Sequence, residues 1–493
     1  MTDLPRLPRL AIRLLLLAVA ACLLYSSVTS IANELHLARV PYQFDYEEGN
    51  ILNTAVRLNA GLTPYPPPGS WPVVLNCYGP IPYLVAARMI RNGEPNLYHP
   101  RIVSMIAVAI IAIEIAALVA CFTQDNLLAF IFGAFFLTLP LVQQWSPLLR
   151  VDPMALALSL GGLVVFFRMP RFSRAVPVFF VLALLSKVTF IAAPITCALI
   201  LARRKRWREL GSGILVFAVL LGASLAVLQW RTHGAFFFHQ FGTHPDPFSW
   251  ANRRLYANFL RDESILIALS LVAALRTKRM TDPLIFTLVA FLVTFTVFKL
   301  GSNDNHFLEL SAALCIFAGV GLHELRNMEK LPLASFIVIA ICGFILARQG
   351  IADRAYFSSK GVVDGCAQAY AYIGEHQQVL SENITALVLT RRPVLLSNPF
   401  VYAQLVRSGK WPAGRVERML QQSAADLVMI GKPTIMEQRW TQPALDALAA
   451  NYHVSHRFAC VDAIFAYEPN SHAQISSKGQ LGEASGPPWT TPH

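Results

Sequence analysis

The chain has 493 residues, 55% hydrophobic and only 14% charged, with a mean hydropathy of +0.48. Soluble domains keep about a quarter of their residues charged, so this composition excludes an ordinary soluble enzyme. The net charge of +12 does not point to nucleic acid, because the basic residues cluster between apolar blocks, as the positive-inside rule describes.

Residues 14–32 follow Arg6, Arg9 and Arg13 and are long enough to cross a bilayer. A cleaved signal peptide is the competing reading. The many apolar segments that follow favour an uncleaved first span with a cytoplasmic N-terminus. Residues 33–100 are polar and rich in proline and aromatics, and read as a long outer loop. It opens on Phe44-Asp45-Tyr46-Glu47-Glu48-Gly49, three carboxylates within four positions. Ile51–Leu62 has apolar residues at helical spacing, and Tyr78–Ile90 is apolar but too short to span. Both are expected to lie along the membrane surface.

Further spans are expected at about 101–122, 127–142, 153–168, 175–186, 188–202, 211–229, 264–276, 283–298, 307–323 and 332–347, giving about eleven in all. Several are short, above all the pair broken at Ser186-Lys187. With the N-terminus inside, Arg168–Arg174, Arg203–Arg208, Arg276–Arg279 and Arg326–Lys330 fall on the cytoplasmic side, while Arg150, Lys187 and Lys299 fall outside. The fold class is thus mainly α: a polytopic bundle over residues 1–349 followed by an extracytoplasmic α/β domain over 350–470. Within that domain, Ser381–Thr390 holds a strand pattern (ITALVLT). PFVYAQLVRSG and AGRVERMLQQSA read as helices, DLVMIG as a buried strand and HVSHRFACVDAIFAYEP as a hairpin. Residues 471–493 have the composition of a disordered tail. Cys366 and Cys460 can pair in an oxidising compartment, but sequence alone leaves this open.

Charged residues near a bilayer are costly and point to function. Nearly all the unusual ones map to the outer side: Asp45, Glu47 and Glu48; Arg150 and Asp152; Lys187; His239, His244, Asp246, Arg253 and Arg254; and Lys299 with Gly301–Glu309. Glu114, on the inner half of a span, reads as structural. Discontinuous stretches at one level suit an active site at the outer boundary better than a pore through the midplane.

These residues carry a resemblance. Asp45 through Leu52, with Gly61 and Pro64-Tyr65, is similar to the acidic first loop of the GT-C superfamily of integral-membrane glycosyltransferases. The closer likeness is to the family-39 branch with protein O-mannosyltransferases and lipid A aminoarabinose transferases. Tyr78-Gly79-Pro80-Ile81-Pro82-Tyr83 resembles a second element of that family, and Arg150-Val151-Asp152, Lys187 and Gly301–Glu309 fall where related sequences carry similar groups. In this chain Tyr46 separates Asp45 from Glu47-Glu48. The resemblance implies a polyprenyl-phosphate-linked sugar donor, an acceptor that is a glycan, a lipid or a protein, and inverting transfer at the outer face of the cytoplasmic membrane. Such a transfer needs a carboxylate to take the acceptor proton and donors for the leaving phosphate. Asp45 is the expected base, with Glu48 next; at i,i+3 on a helix these two share a face and Glu47 points elsewhere. Lys187 and Arg150, beside Asp152, are expected at the lipid phosphate. Tyr78, Asn303, Asn305, His306 and Glu309 are expected at the sugar. The one cofactor the resemblance allows is a divalent metal ion, with Glu48 and His306 as its candidate ligands. The rival classes are a transporter or flippase of lipid-linked sugars, for which inverted repeats and midplane sites are missing, and a non-catalytic assembly subunit.

Overall fold

In the computed structural model the chain is described over residues 6–90, 93–243, 247–276, 281–326, 359–412, 414–431 and 435–470. The expected span at 332–347, His244, Asp246, the basic residues at 277–279 and 327–330, and the tail 471–493 lie outside these residues.

The first apolar block forms one long helix, α1 (Arg6–Ala38). The outer loop then folds into α2 (Tyr46–Asn59) and α3 (Pro80–Met89). Next come α4 (Tyr98–Thr123), α5 (Asn126–Thr138), α6 (Pro140–Trp145) and α7 (Asp152–Arg168). They are followed by α8 (Val176–Leu184), α9 (Ala192–Arg203) and α10 (Trp207–Arg231). The segment expected as one span over 127–142 breaks at Pro140, which has no N–H to continue the ladder. The expected break near Lys187 is present, between α8 and α9. Beyond the 231–252 loop lie α11 (Arg253–Asp262), α12 (Ser264–Arg276), α13 (Asp282–Val293) and α14 (Leu308–Arg326). Four described helices are long and apolar enough to cross a membrane: Leu10–Ala38, Tyr98–Thr123, Trp207–Arg231 and Asp304–Arg326. Large apolar side chains such as Ile113, Leu215 and Trp230 are exposed on the bundle's outside. Water would not tolerate that surface; lipid does.

Helix direction sorts the charges into two ends. The start of α7, the α8–α9 break and the segment leading into α14 gather at one end. Arg203 and Arg204 end α9 and pair with Asp282 at the start of α13. Arg326 ends α14 and pairs with Asp125, the N-cap of α5, at 2.6 Å. The twelve residues of α9 put about 18 Å between these ends.

The C-terminal residues build a four-stranded sheet in the order β1-β2-β4-β3, flanked by helices. In chain order these are α15 (Lys360–Glu375), β1 (Val379–Ser381), α16 (Ile384–Leu389), α17 (Pro399–Arg407), α18 (Arg415–Gln421), β2 (Leu427–Gly431), α19 (Gln442–Asn451), β3 (Tyr452–Ala459) and β4 (Ala463–Pro469). β1 and β2 are parallel; β4 runs antiparallel to both β2 and β3. The expected helices, the DLVMIG strand and the hairpin are all present. The ITALVLT segment is a correction, because it is the helix α16. Asn383 caps it by accepting from the Ala386 N–H at 3.0 Å, and a short run buried on every side has no strand periodicity to distinguish it. Cys366 and Cys460 are disulfide-bonded, joining α15 to the end of β3.

The outer loop does not lie bare on a membrane surface, which corrects a second expectation. Ile51, Leu52 and Ala55 of α2 and Tyr83 and Ala86 of α3 share a core with Ile384, Leu387 and Cys366 of the C-terminal unit. Gly49 marks how close this packing is: a Cβ there would stand 2.6 Å from the Thr385 amide nitrogen. A parallel backbone bridge between Val73 and Leu396 adds a second join. The loop is therefore a middle layer, with the bundle below it and the α/β unit above.

Candidate functional site

The site is built around the first turn of α2. Asp45 is its N-cap: the carboxylate Oδ1 accepts from the Glu47 N–H at 3.0 Å, while Glu48 reaches back to the Phe44 and Asp45 N–H groups at 2.8 and 3.3 Å. This is a capping box. The helix ends in a Schellman turn: Gly61, at φ 73°, donates to the Leu58 carbonyl, and Leu62 donates to that of Arg57. Both ends of α2 are thus fixed, and its first turn holds three carboxylates in fixed directions.

Those directions differ. Glu48 is fully buried and turned toward the bundle. Arg101, at the start of α4, grips both its oxygens at 2.8 Å, and the Leu149 N–H adds a third contact at 2.8 Å. Arg101 also donates to the carbonyls of Val40 and Tyr42. Glu48 therefore ties together the end of α1, the start of α4 and the segment before α7. It does not line the cavity beside α2, so it does not share that space with His306, and the expected metal pair is not assembled. No cluster of three or more His, Cys, Asp or Glu side chains suited to a metal occurs among the described residues.

The cavity holds about 530 Å³. Its floor is the end of the bundle that carries the start of α7 and the α8–α9 break, where Asp152 is the hub. Fully buried, Asp152 takes the Lys187 ammonium at 2.5 Å and the Asn305 amide at 2.9 Å on Oδ1, with Arg150 Nε 3.6 Å from Oδ2. Arg150 reaches forward to Asp45 at 2.6 Å and lies over the Trp145 ring. Trp145 in turn donates to Asp304 at 2.8 Å, and His306 meets Thr296 at 2.8 Å. Lys299 borders the same space, is exposed and makes no ion pair or side-chain hydrogen bond among the described residues.

The roof comes from the C-terminal unit. Glu382 follows β1 and Gly431 ends β2, so both stand at the carboxyl ends of parallel strands, where open sheets place ligands. Arg439 pairs with Glu382 at 2.6 Å and lies 4.8 Å over the Tyr46 ring. Asn398 donates to Glu47 Oε1 at 3.2 Å, and Asn50 donates to Oε2 at 3.2 Å. Burial pushes the Glu47 carboxyl pKa up, Arg150 pulls it back and Asp45 adds to the rise.

Of the expected site residues, Asp45, Tyr78, Arg150, Lys187, Asn303, Asn305 and His306 line this cavity together. Asp152 stands behind it as the charge that fixes Lys187. Glu48 and Glu309 do not line it. Glu309 is buried in α14, accepting from Ser159 at 3.1 Å. Arg253 and Arg254 are exposed on α11 and do not line the cavity, and His239 is buried against Asn76 and Pro66. Glu47, expected to point elsewhere, faces the cavity. Sequence reasoning also passed over Arg101, Glu382, Asn398 and Arg439. The Asp45-x-x-Glu48 spacing is itself a capping-box signature and was the available sign that Glu48 is committed to structure.

No family model matches the chain, and no curated protein matches it. Solved structures do. ArnT from Cupriavidus metallidurans bound to undecaprenyl phosphate aligns with a TM-score of 0.61 at 13% identity, over 90% of this chain and 97% of that one. The archaeal oligosaccharyltransferase AglB from Archaeoglobus fulgidus, in complex with an inhibitory peptide and a dolichol-phosphate, aligns with a TM-score of 0.52 at 11% identity, over 92% of this chain and 74% of that one. The chain therefore shares its overall fold with these two structures.

Proposed function

We propose that this protein is a membrane glycosyltransferase. It moves a sugar from a polyprenyl-phosphate-linked donor to an acceptor hydroxyl at the outer face of the cytoplasmic membrane. The observation that carries the reading is the cavity itself: two carboxylates, Asp45 and Glu47, face three cations, Arg150, Lys187 and Lys299, across one cavity at the outer end of the bundle. The fold supports it, since the ArnT and AglB structures hold undecaprenyl phosphate and a dolichol-phosphate. The basic ends of α9 and α14, opposite the cavity, support a cytoplasmic assignment for that end. The disulfide supports an oxidising compartment for the C-terminal unit.

In this reading the acceptor oxygen attacks the anomeric carbon as the bond from that carbon to the phosphate oxygen breaks. The leaving polyprenyl phosphate keeps the electron pair, and the acceptor proton passes to a carboxylate. Attack opposite the leaving group inverts the centre. Glu47 is the favoured base. It receives only neutral amide hydrogen bonds, and its raised pKa brings it nearer working pH, where a general base is most effective. Asp45, the base expected from the sequence, becomes the second choice: it spends Oδ1 on the cap and on Arg150, while Oδ2 has no hydrogen-bond partner among the described residues. Arg150 and Lys187 are already compensated by Asp45 and Asp152, so they orient more than they neutralise. Lys299, without an ion-pair partner among the described residues, is the cation placed to meet the leaving phosphate. Tyr78, Asn303, Asn305 and His306 surround the space for the sugar. The acceptor is a glycan, a lipid or a protein segment narrow enough to enter beneath the roof.

The test is to incubate the purified protein with undecaprenyl-phosphate-linked hexoses, pentoses and amino sugars and score which donor is consumed. Glu47→Gln should lose about 10²–10⁴-fold in rate. Near-normal turnover by Glu47→Gln, with loss in Asp45→Asn, would move the base to Asp45. Uptake or flipping of the lipid-linked sugar with no transferred product would overturn the transferase reading.

A further inference from the structure

We propose that Asn398, on the C-terminal unit, is a positioning residue for Glu47: its side-chain amide sets the orientation of that carboxylate over the cavity. The inference rests on the reading of Glu47 as the base and goes beyond it, because it gives the C-terminal unit a part in the chemistry.

Asn398 is 1% exposed and bonds in three directions. Its Oδ1 accepts from the Val401 N–H at 3.0 Å, capping α17, and from the Tyr46 hydroxyl at 3.3 Å. Its Nδ2 donates to Glu47 Oε1 at 3.2 Å. The orientation of the amide follows from this surrounding. Two donors meet one end, so that end is the oxygen, and the NH₂ end is left for Glu47. Glu47 is then held on both oxygens by amides. Asn50 lies one turn along the same helix; Asn398 comes from 351 residues away.

The backbone that carries Asn398 is fixed as well. Val73 donates to the Leu395 carbonyl at 2.9 Å, Ser397 donates to that of Val73 at 2.9 Å, and Leu75 donates to the Ser397 hydroxyl at 3.0 Å. The preceding three residues are thus stitched to the outer loop, and Asn398 is delivered to α2 in one register. Reaction rates are sensitive to such placement, since a misplacement of about 1 Å can cost 10²-fold.

The other groups facing Glu47 are Arg150 from the bundle, Asp45 in its own turn, and Tyr78 and Tyr83 from farther along the outer loop. The Glu382–Arg439 pair stands on the far side of Tyr46. None of these donates a hydrogen bond to Glu47, so the amide has no substitute among them.

Asn398→Asp separates positioning from folding. A carboxylate still caps α17 and still accepts from Tyr46, but it offers Glu47 an anion in place of a donor. With the undecaprenyl-phosphate sugar consumed in the panel, kcat should fall about tenfold or more while KM stays within about twofold. A second reading needs no substrate: labelling of Glu47 by a hydrophobic carbodiimide, which reacts with protonated carboxyls, followed across pH by mass spectrometry. Its midpoint should move to higher pH by about one unit in Asn398→Asp. Asn398→Ser keeps the cap without reaching Glu47 and should show smaller changes of the same sign. Wild-type kcat and an unmoved midpoint in Asn398→Asp would overturn the proposal, and so would an unmoved midpoint in Asn398→Ser should the aspartate variant fail to fold. With Glu47→Gln inactive, that result sinks only the positioning role; a fully active Glu47→Gln sinks the base assignment instead.

Discussion

The floor and the roof of the cavity treat charge in opposite ways. On the floor, Asp152, Lys187, Arg150 and Asp45 close a chain of opposite charges that is complete before any ligand arrives. From the roof, Asn398 reaches down to Glu47 through a neutral amide. The adjacent residues Glu47 and Glu48 fall on either side of this divide. Glu48 belongs to the bundle side, locked by a buried guanidinium; Glu47 belongs to the roof side, held without neutralisation. A carboxylate can be a strong structural tie or a usable base, and the difference lies in whether its partners are ions or amides.

The contrast is broken most severely by removing the tie. Glu48→Ala leaves Arg101 buried without its counter-ion, and loss of one partner of such a pair costs roughly 3–5 kcal/mol. The thermal midpoint in detergent should drop steeply, whereas Glu47→Gln should melt close to the wild type. Equal melting of the two variants would erase the distinction between the glutamates.

A pH titration of stability probes the outer loop that separates floor from roof. His239 is buried there, accepting from the Asn76 N–H on Nδ1 and donating from Nε2 to the Pro66 carbonyl. Burial lowers its pKa from the usual 6.5 to about 4. The unfolded chain therefore binds the proton first, so stability is fully present above pH 6.5 and falls as pH drops toward 4, by roughly 3 kcal/mol in total. Melting temperatures measured across that window should fall for the wild type and fall less for His239→Gln. Parallel curves would show that the acid sensitivity lies elsewhere.

The smallest effect sharpens the floor. Lys299→Ala removes the cation that has no ion-pair partner among the described residues, and should raise the donor KM by about tenfold with kcat little changed, because it removes roughly one charge–phosphate contact. The wild-type KM should also rise with salt, and the variant's less so. An unchanged KM would return the phosphate to Lys187 and Arg150 despite their internal pairing.

Much of this molecule is written in local patterns. The apolar blocks, the break at Lys187 and the helices and hairpin of the C-terminal unit all follow from periodicity and from proline. The gathering of Asp45, Arg150, Lys187 and Asn305–His306 at one level follows from counting spans and reading the sign of each connection. What local pattern does not carry is the direction of a side chain once a second layer covers it. Glu47 and Glu48 are equivalent as letters, and the i,i+3 rule pairs Asp45 with Glu48 correctly. That pairing is a cap rather than a catalytic face, because Arg101, 53 residues on, claims Glu48 from below. The same holds for α16: ITALVLT is apolar apart from Thr385 and Thr390, so only the Asn383 cap and its packing on α2 decide that it is a helix. Asn398 is illegible for a related reason, since its meaning depends on a loop bridge to Val73.

That bridge also fixes when the protein becomes competent during synthesis. The Leu75 and Ser397 groups that meet there are 322 residues apart, and contacts of such long range form late because the loop between them must first close. The first acidic turn leaves the ribosome early, yet its roof is encoded near the end of the chain. A nascent or truncated protein would carry the floor, the cap and the Glu48–Arg101 tie without an enclosed cavity. If Glu47 is the base proposed above, it would stay out of service until the last domain has been made and docked, which would guard against premature reaction with the proposed donor.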